Sequence, residues 1–381
     1  LQTAVHSLEL ERFFRPPRMR RGFSRKKAVE DSDMVKIGIC GIGFMGMIHY
    51  LAAQRVSGAK VVALCSRDPK KLAGDWTSIQ GNFGPRGTQM DLSGLALHRD
   101  FEAILADPQV DLVDLCVPND AHARMAILAL EAGKHVLVEK PIALTTADAD
   151  AMVAAARKAG KFLMVGHVLP FFPEFAFALE AVRSGRYGAL QAAHLMRVIS
   201  RPDWSTEIAD AALSGGPAVD LHIHDTHFIG LICGVPQSVH SRGIVEKDTV
   251  VHLTTQYLYE KPNLSVSCIS GAISQKGRPF AHGFELYFER ATIAFEFANL
   301  AGEGHVATPL SVILPDGTVE RPDLGGGDPV QGFVRELTDA TEAIANRIET
   351  PRLAGAMARQ ALALCLAEIE SVKTGKAIRL A

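Results

Sequence analysis

Residues 220–227 read "DLHIHDTH", three histidines and two aspartates in eight positions. Imidazoles at this density suit two chemistries, ligation of a metal or movement of a proton. Spacing discriminates between them. Gly215-Gly216-Pro217 is a good helix entry, with proline in the first turn, and the apolar run "FIGLICG" continues it. At about 100° per residue, a helix from there places Asp220, His224, His227 and Leu231 on one stripe and His222 about 160° away from His224. A strand would instead align His222 with His224, the His-x-His arrangement of a metallohydrolase. The glycines, the proline and the apolar continuation favour the helix, and the expectation is that no metal is bound. For His222 and His227 two readings stay open: hydrogen-bonded residues of a half-buried helix, or substrate contacts.

A second stretch carries phosphate chemistry. "VKIGIC" (35–40) suits a buried parallel strand, and "GIGFMG" follows at once. Gly41, Gly43 and Gly46 match G-x-G-x-x-G between a strand and a helix. Gly41 allows the tight turn, Gly43 lets the backbone approach a pyrophosphate, and Gly46 lets helix pack on strand. The next strand, "KVVALC", ends at Ser66-Arg67, about 25 residues after the first glycine, where an NAD enzyme usually carries an acid for the ribose hydroxyls. A hydroxyl and a guanidinium, with Lys70 and Lys71 nearby, suit a 2′-phosphate, so NADP is favoured over NAD. Asp68-Pro69 reads as a helix N-cap and first-turn proline.

The pattern then alternates: "FEAILAD", "VDLVDLCV", "AHARMAILALEAG" and "HVLVEKP" are helix, strand, helix, strand. This implies a doubly wound parallel sheet with its ligand at the carboxyl ends of the strands, where "PND" and "EKP" fall. Cofactor contacts are accordingly expected from Gly41, Ile42, Gly43, Phe44, Met45 and Gly46, from Ser66, Arg67 and Lys71, and from Pro118, Asn119, His122, Glu139 and Lys140. The segment 81–94, rich in glycine, reads as a loop over a site or on the surface.

Bulk properties narrow the class. The chain has 381 residues, enough for two domains, and 48% hydrophobic with 22% charged residues is the balance of a soluble globular protein. A net charge of −2 argues against nucleic acid or an anionic membrane as partner, and no stretch approaches the roughly 18 apolar residues of a membrane span. Six cysteines without a Cys-x-x-Cys pair, set in apolar runs, indicate buried reduced thiols and a cytoplasmic protein. Residues 1–33 are dense in Arg and Lys from Arg12 to Lys27 and lack the apolar core of a secretory signal, while Glu9 and Glu11 speak against a transit peptide. They are expected to form a mobile tail, with Met34 a candidate original start.

On "GICGIGFMG", "VPNDAHARMAILALEAGKHVLVEKPIAL", "GGPAVDLHIHDTHFI" and the closing "SVKTGKAIRL", the sequence resembles the Gfo/Idh/MocA family of glucose–fructose oxidoreductase and inositol dehydrogenase relatives, over roughly residues 35–381. The resemblance implies an α/β protein: an N-terminal Rossmann domain, here 34–160, and a C-terminal α/β domain, 161–381, with a large open, mostly antiparallel sheet that makes a homodimer or homotetramer. The β-rich stretches "LQAAHLMRVIS", "TVVHLTTQYLY", "LSVSCISGAI" and "FELYFERATIAFE" fit the second domain, and 332–373 reads as helical.

The resemblance also implies an NAD(P)-dependent oxidoreductase acting on a sugar, polyol or related hydroxyl compound. Its lysine falls on Lys140 and its Asp-x-x-x-His pair on Asp220 and His224. His224 is then the acid–base group, Asp220 orients it or shares its proton, and Lys140 stabilises charge on the reacting oxygen. Candidate substrate contacts are Lys140, His167, Arg197, Trp204, Asp220, His222, His224 and His227. The sequence departs from many relatives at His222, where they have glycine, at His227, where they have aspartate, and at "GHVLPFFPEF". Two classes compete. A catalytically silent dinucleotide-binding sensor is disfavoured by Lys140, Asp220 and His224 together; a metal-dependent hydrolase using His222, His224 and His227 is disfavoured by their spacing.

Overall fold

In the computed structural model, residues 34–81, 83–201, 214–325 and 327–380 are described. The tail expected at 1–33, and Trp204, lie outside them. The chain begins as β1 (Val35–Cys40), α1 (Phe44–Ala53), β2 (Ala59–Cys65), α2 (Pro69–Leu72), β3 (Ala96–His98), α3 (Phe101–Ala106) and β4 (Leu112–Leu115). It continues through α4 (His122–Glu131), β5 (His135–Glu139), α5 (Thr146–Ala159) and β6 (Leu163–Gly166). The six strands form one parallel sheet in the order β3-β2-β1-β4-β5-β6, the dinucleotide-binding order. Local chemistry delimits the helices, at Asp68 as expected. Asp68 caps α2, its carboxylate accepting from the Lys70 N–H at 2.9 Å, and Thr145 caps α5, accepting from the Asp148 N–H at 3.1 Å. Gly160 ends α5 in the left-handed region at φ +63°.

The second sheet is mostly antiparallel, as expected, and has nine strands. They are β7 (Leu190–Ser200), β8 (Ser238–Glu246), β9 (Thr249–Leu258), β10 (Ser265–Ile273), β11 (Phe280–Phe288), β12 (Ala291–Leu300), β13 (Glu303–Ile313), β14 (Val319–Glu320) and β15 (Ile378–Arg379). Their order is β14-β13-β12-β11-β7-β10-β9-β8-β15, and among the described strands of this sheet β7 with β10 is the one parallel pair. Helices α6 (Pro173–Ser184), α7 (Pro217–Asp220) and α8 (Ile223–Cys233) precede β8 in the chain. Phe175 of α6 and Phe228 of α8 share a core with Leu286 and Ile293 of the sheet. All six cysteines are free, four of them buried.

The two halves are not separate bodies. Strand β6 joins the parallel sheet beyond the boundary expected at 160. The alanine-rich block forms α9 (Gln331–Asn346) and α10 (Gly355–Thr374), and both return to the first sheet. Phe333, Leu337 and Ala340 of α9 share a core with Ile37, Ile39 and Met47, whereas Ala358, Ala361 and Leu362 of α10 pack with Val136, Ala149 and Met152 on the opposite face. The apolar faces of the N-terminal sheet are therefore completed by the C-terminal helices. A fragment ending at Gly166 is expected to melt without cooperativity and to bind a hydrophobic dye. In the full chain Phe333→Ala should cost about 3–5 kcal/mol, read as a lower Tm.

Candidate active site

The glycine loop has the geometry of a phosphate cradle. Gly41 sits at φ +95°, where a Cβ would lie 2.2 Å from the Cys116 carbonyl oxygen, and a Cβ on Gly46 would lie 1.9 Å from that of Gly41. Gly43 meets nothing within 4 Å. Two glycines thus close the turn and the third leaves open space at the start of α1, where free N–H groups and the helix dipole favour an anion. Ser66 and the exposed Arg67 follow β2, and the Ser66 hydroxyl accepts from the Asp68 N–H at 3.2 Å. The 81–94 segment folds back on this region: Phe83 packs edge-on to Phe44 at 4.9 Å and stacks on Phe333 at 5.6 Å.

Lys140 stands just past the carboxyl end of β5, and its Nζ crosses to Asp220 on α7, 2.8 Å from Oδ1 and 2.9 Å from the backbone oxygen. Both side chains remain about one-fifth exposed, at 19% and 22%. His224, on the first turn of α8, is half-buried beside them. Its ring stands edge-on to His167, with centroids 6.5 Å apart, and His167 stacks flat on His227 at 4.0 Å. His167 follows β6 directly, at the carboxyl edge of the parallel sheet. Burial, then the charges of Lys140 and Arg197, hold His224 well below the ordinary imidazole value, so it is neutral at neutral pH. Burial and the neighbouring histidines do the same for His167, and burial brings His227 to about 3. The ring nitrogens of His167 and His227 are buried without a well-formed hydrogen bond to the described residues, although the Arg352 carbonyl lies near His227.

Residues 35–167 match the model of an oxidoreductase family with an NAD-binding Rossmann fold, GFO_IDH_MocA. Over these residues the chain is similar to the Gfo/Idh/MocA oxidoreductases. Among its relatives, 1-carboxy-3-chloro-3,4-dihydroxycyclohexa-1,5-diene dehydrogenase of Comamonas testosteroni is 35% identical over 204 residues, 52% of this chain and 47% of that protein. Inositol 2-dehydrogenase of Rhizobium meliloti is 26% identical over 83% of this chain and 87% of its own. The solved structure of levoglucosan dehydrogenase with NADH and levoglucosan shares the fold at a TM-score of 0.73 and 21% identity, covering 91% of this chain and 99% of that one. The chain spans about half the length of the first curated relatives it matches.

Several expectations need correction. The helix through "DLHIHDTH" is not continuous: Leu221 and His222 form a wide turn between α7 and α8, both N–H groups pointing to the Pro217 carbonyl at 3.3 and 3.2 Å. His222 is still thrown away from His224, but into the core, where its Nε2 pairs with Glu368 and lies 3.3 Å from the Tyr257 hydroxyl. It is a fully buried ion-pair residue. Arg197, 4% exposed, is likewise committed, with Nε at 2.8 Å and Nη2 at 3.0 Å from the Asp225 carboxylate. Asp220 is held by Lys140 and makes no hydrogen bond with His224, because the wide turn intervenes. His122 is fully buried, its ring nitrogens 3.0 and 2.8 Å from the Val117 and Pro141 carbonyls just past the ends of β4 and β5.

Two clusters among the described residues bring three ligand-type atoms within 4.8 Å, His222 with Asp225 and Cys268, and His49 with Asp114 and Cys116. In the first, Glu368 and Arg197 already engage the imidazole and carboxylate; in the second these two groups engage each other. The second cluster escaped the sequence reading. Its only sequence signals are a lone histidine in an apolar helix, "FMGMIHYLAA", and an aspartate inside the buried strand "LVDL".

A structural role for His222 has a direct test. Burial opposes its charge, but Glu368 raises its pKa above the usual 6.5. That stabilisation is complete below about pH 6.5 and is lost as pH rises through the folded value. His222→Ala should therefore cost about 3–5 kcal/mol at pH 6 by stranding Glu368, and less at alkaline pH, with dinucleotide affinity unchanged; melting curves across pH and a fluorescence titration check both.

Proposed function

We propose that this protein is an NAD(P)-dependent oxidoreductase that transfers hydride between the nicotinamide and a carbinol or ketone carbon of a sugar, polyol or related hydroxyl compound. The observation that carries this reading is the Lys140–Asp220 clasp beside a neutral, partly exposed His224, at the carboxyl edge of the sheet that bears the glycine cradle. The relatives' names support the substrate class: inositol 2-dehydrogenase and levoglucosan dehydrogenase act on a polyol and an anhydrosugar. The nicotinamide, when bound, supplies the hydride acceptor or donor.

The remaining work falls to this chain. In oxidation the hydroxyl proton must leave as the carbon gives up hydride, and His224, neutral and open on one side, is the acceptor. An imidazole held well below its usual pKa is a weak base, which Lys140 offsets: its ammonium stabilises negative charge developing on the same oxygen. Asp220 orients Lys140 rather than His224. His167 and His227, fully buried and stacked on each other, stand behind His224. At the other end of the cofactor, Arg67 and Ser66 favour a 2′-phosphate, hence NADP. The outer face of the second sheet, with exposed Leu258, Ile269 and Val306, is the surface through which two or four copies associate.

A panel of sugars and polyols assayed with both cofactors at 340 nm, the reduced-nicotinamide band, tests the class; failure of every member with both cofactors would defeat it. His224→Ala should lower turnover roughly 10²–10⁴-fold with little change in dinucleotide affinity. Asp220→Asn should also lose activity, and the double variant less than the product of the two losses. Because His224 sits well below 6.5, kcat/KM for oxidation should hold through pH 6 and fall only at lower pH. Arg67→Ala should weaken NADP binding far more than NAD; equal losses would remove the case for NADP.

A further inference from the structure

The segment that carries Lys140 is held from behind by a buried charged cluster with no place in the reaction described above. His49, on the inner face of α1, is fully buried. Its Nδ1 lies 2.8 Å from Asp114 Oδ2 on β4, a hydrogen bond, and its Nε2 lies 3.0 Å from Glu139 Oε1 at the end of β5. The second contact is off the hydrogen-bond line and acts as a charge contact. The other Glu139 oxygen accepts from the Lys140 backbone N–H at 3.2 Å. On its far side the carboxylate is wedged against β6, where a Cβ on Gly166 would lie 3.1 Å from Oε1.

The charge state follows from what surrounds the ring. Burial alone would leave His49 neutral, but Asp114, and then Cys116, raise its pKa well above the usual value. Glu336 of α9 also faces the cluster; it is fully buried, both oxygens lack partners among the described residues, and burial raises its carboxyl into the neutral form. Cys116, its thiol pushed up to about 12 by burial, lies 3.6 Å from Asp114 Oδ1 and donates to it. One buried cation therefore stands between two carboxylates. Removing its charge would leave Asp114 and Glu139 without compensation in a dry interior, and Glu139 is the group that grips the Lys140 backbone.

We propose that His49 is a positioning residue for Lys140: a buried cation that grips Asp114 and Glu139 and thereby sets where the β5 exit places the Lys140 ammonium against Asp220 and the reacting oxygen. This rests on Lys140 being the group that stabilises that oxygen. A shift of about 1 Å at a reacting group can cost on the order of 10²-fold in rate, whereas an ion pair serving the fold alone would alter stability and leave turnover per folded molecule nearly intact.

The test is a double-mutant cycle of His49→Gln and Lys140→Ala, assayed on the panel member with the highest turnover. His49→Gln is expected to lower kcat roughly 10–100-fold, with KM and NADH affinity changed less than about threefold, and to cost less than about threefold more in the Lys140→Ala background. Equal fold-losses in both backgrounds, or wild-type kcat in His49→Gln, would overturn the positioning role. High turnover in Lys140→Ala alone would instead remove the reading of Lys140 on which it rests, and the positioning role with it. Should His49→Gln fail to fold, ¹⁵N-histidine spectra of the wild-type protein with NADH bound can still overturn the proposal. Both His49 ring nitrogens should be protonated and unchanged between pH 6 and 8, and a neutral tautomer or a titration in that range would defeat the proposal.

Discussion

The geometry of the site depends on one ion pair, Lys140 to Asp220, which joins the exit of the parallel sheet to the short helix that opens the histidine segment. A pair with both partners about one-fifth exposed contributes little net stability, since desolvation offsets most of its Coulomb gain. Its value is positional. It fixes the distance between two chain segments 80 residues apart and leaves an ammonium, a carboxylate and a half-buried imidazole on one edge.

Desolvation sorts the histidines into two kinds. His49 and His222 each face a buried carboxylate, which overcomes burial and keeps the ring charged. His122, His167, His224, His227 and His282 lack such a partner, and burial makes them neutral. The same residue type is thus a cation or a neutral ring according to whether an Asp or Glu stands close opposite. Asp225 is withheld from this second group by its bidentate bond to Arg197.

Legibility in the sequence followed the range of the interactions. The glycine loop, the Asp68 and Thr145 caps and the alternating strands of the first sheet are short-range features, readable because each depends on neighbours in the chain. Strand β6, past the boundary expected at 160, has the composition of any short buried strand, and only pairing with β5 assigns it to the first sheet. Likewise, no local signal marks α9 and α10 as the elements that cover the first sheet; their apolar faces are visible, their partners are not.

The histidine segment divides along the same line. Its sequence by itself determined that His222 points away from His224, because any helix-like spacing of two residues turns the side chain through most of a half-circle. It also determined, through Gly215-Gly216-Pro217, that a helix starts there. Only the tertiary structure decided what each side chain meets: Glu368, 146 residues on, for His222; Lys140 for Asp220; and Asp114 and Glu139 for His49. Those partners arrive from distant strands and helices. Charge, protonation and orientation at a buried group are set by whatever atom lies within about 3 Å, which chain spacing does not encode.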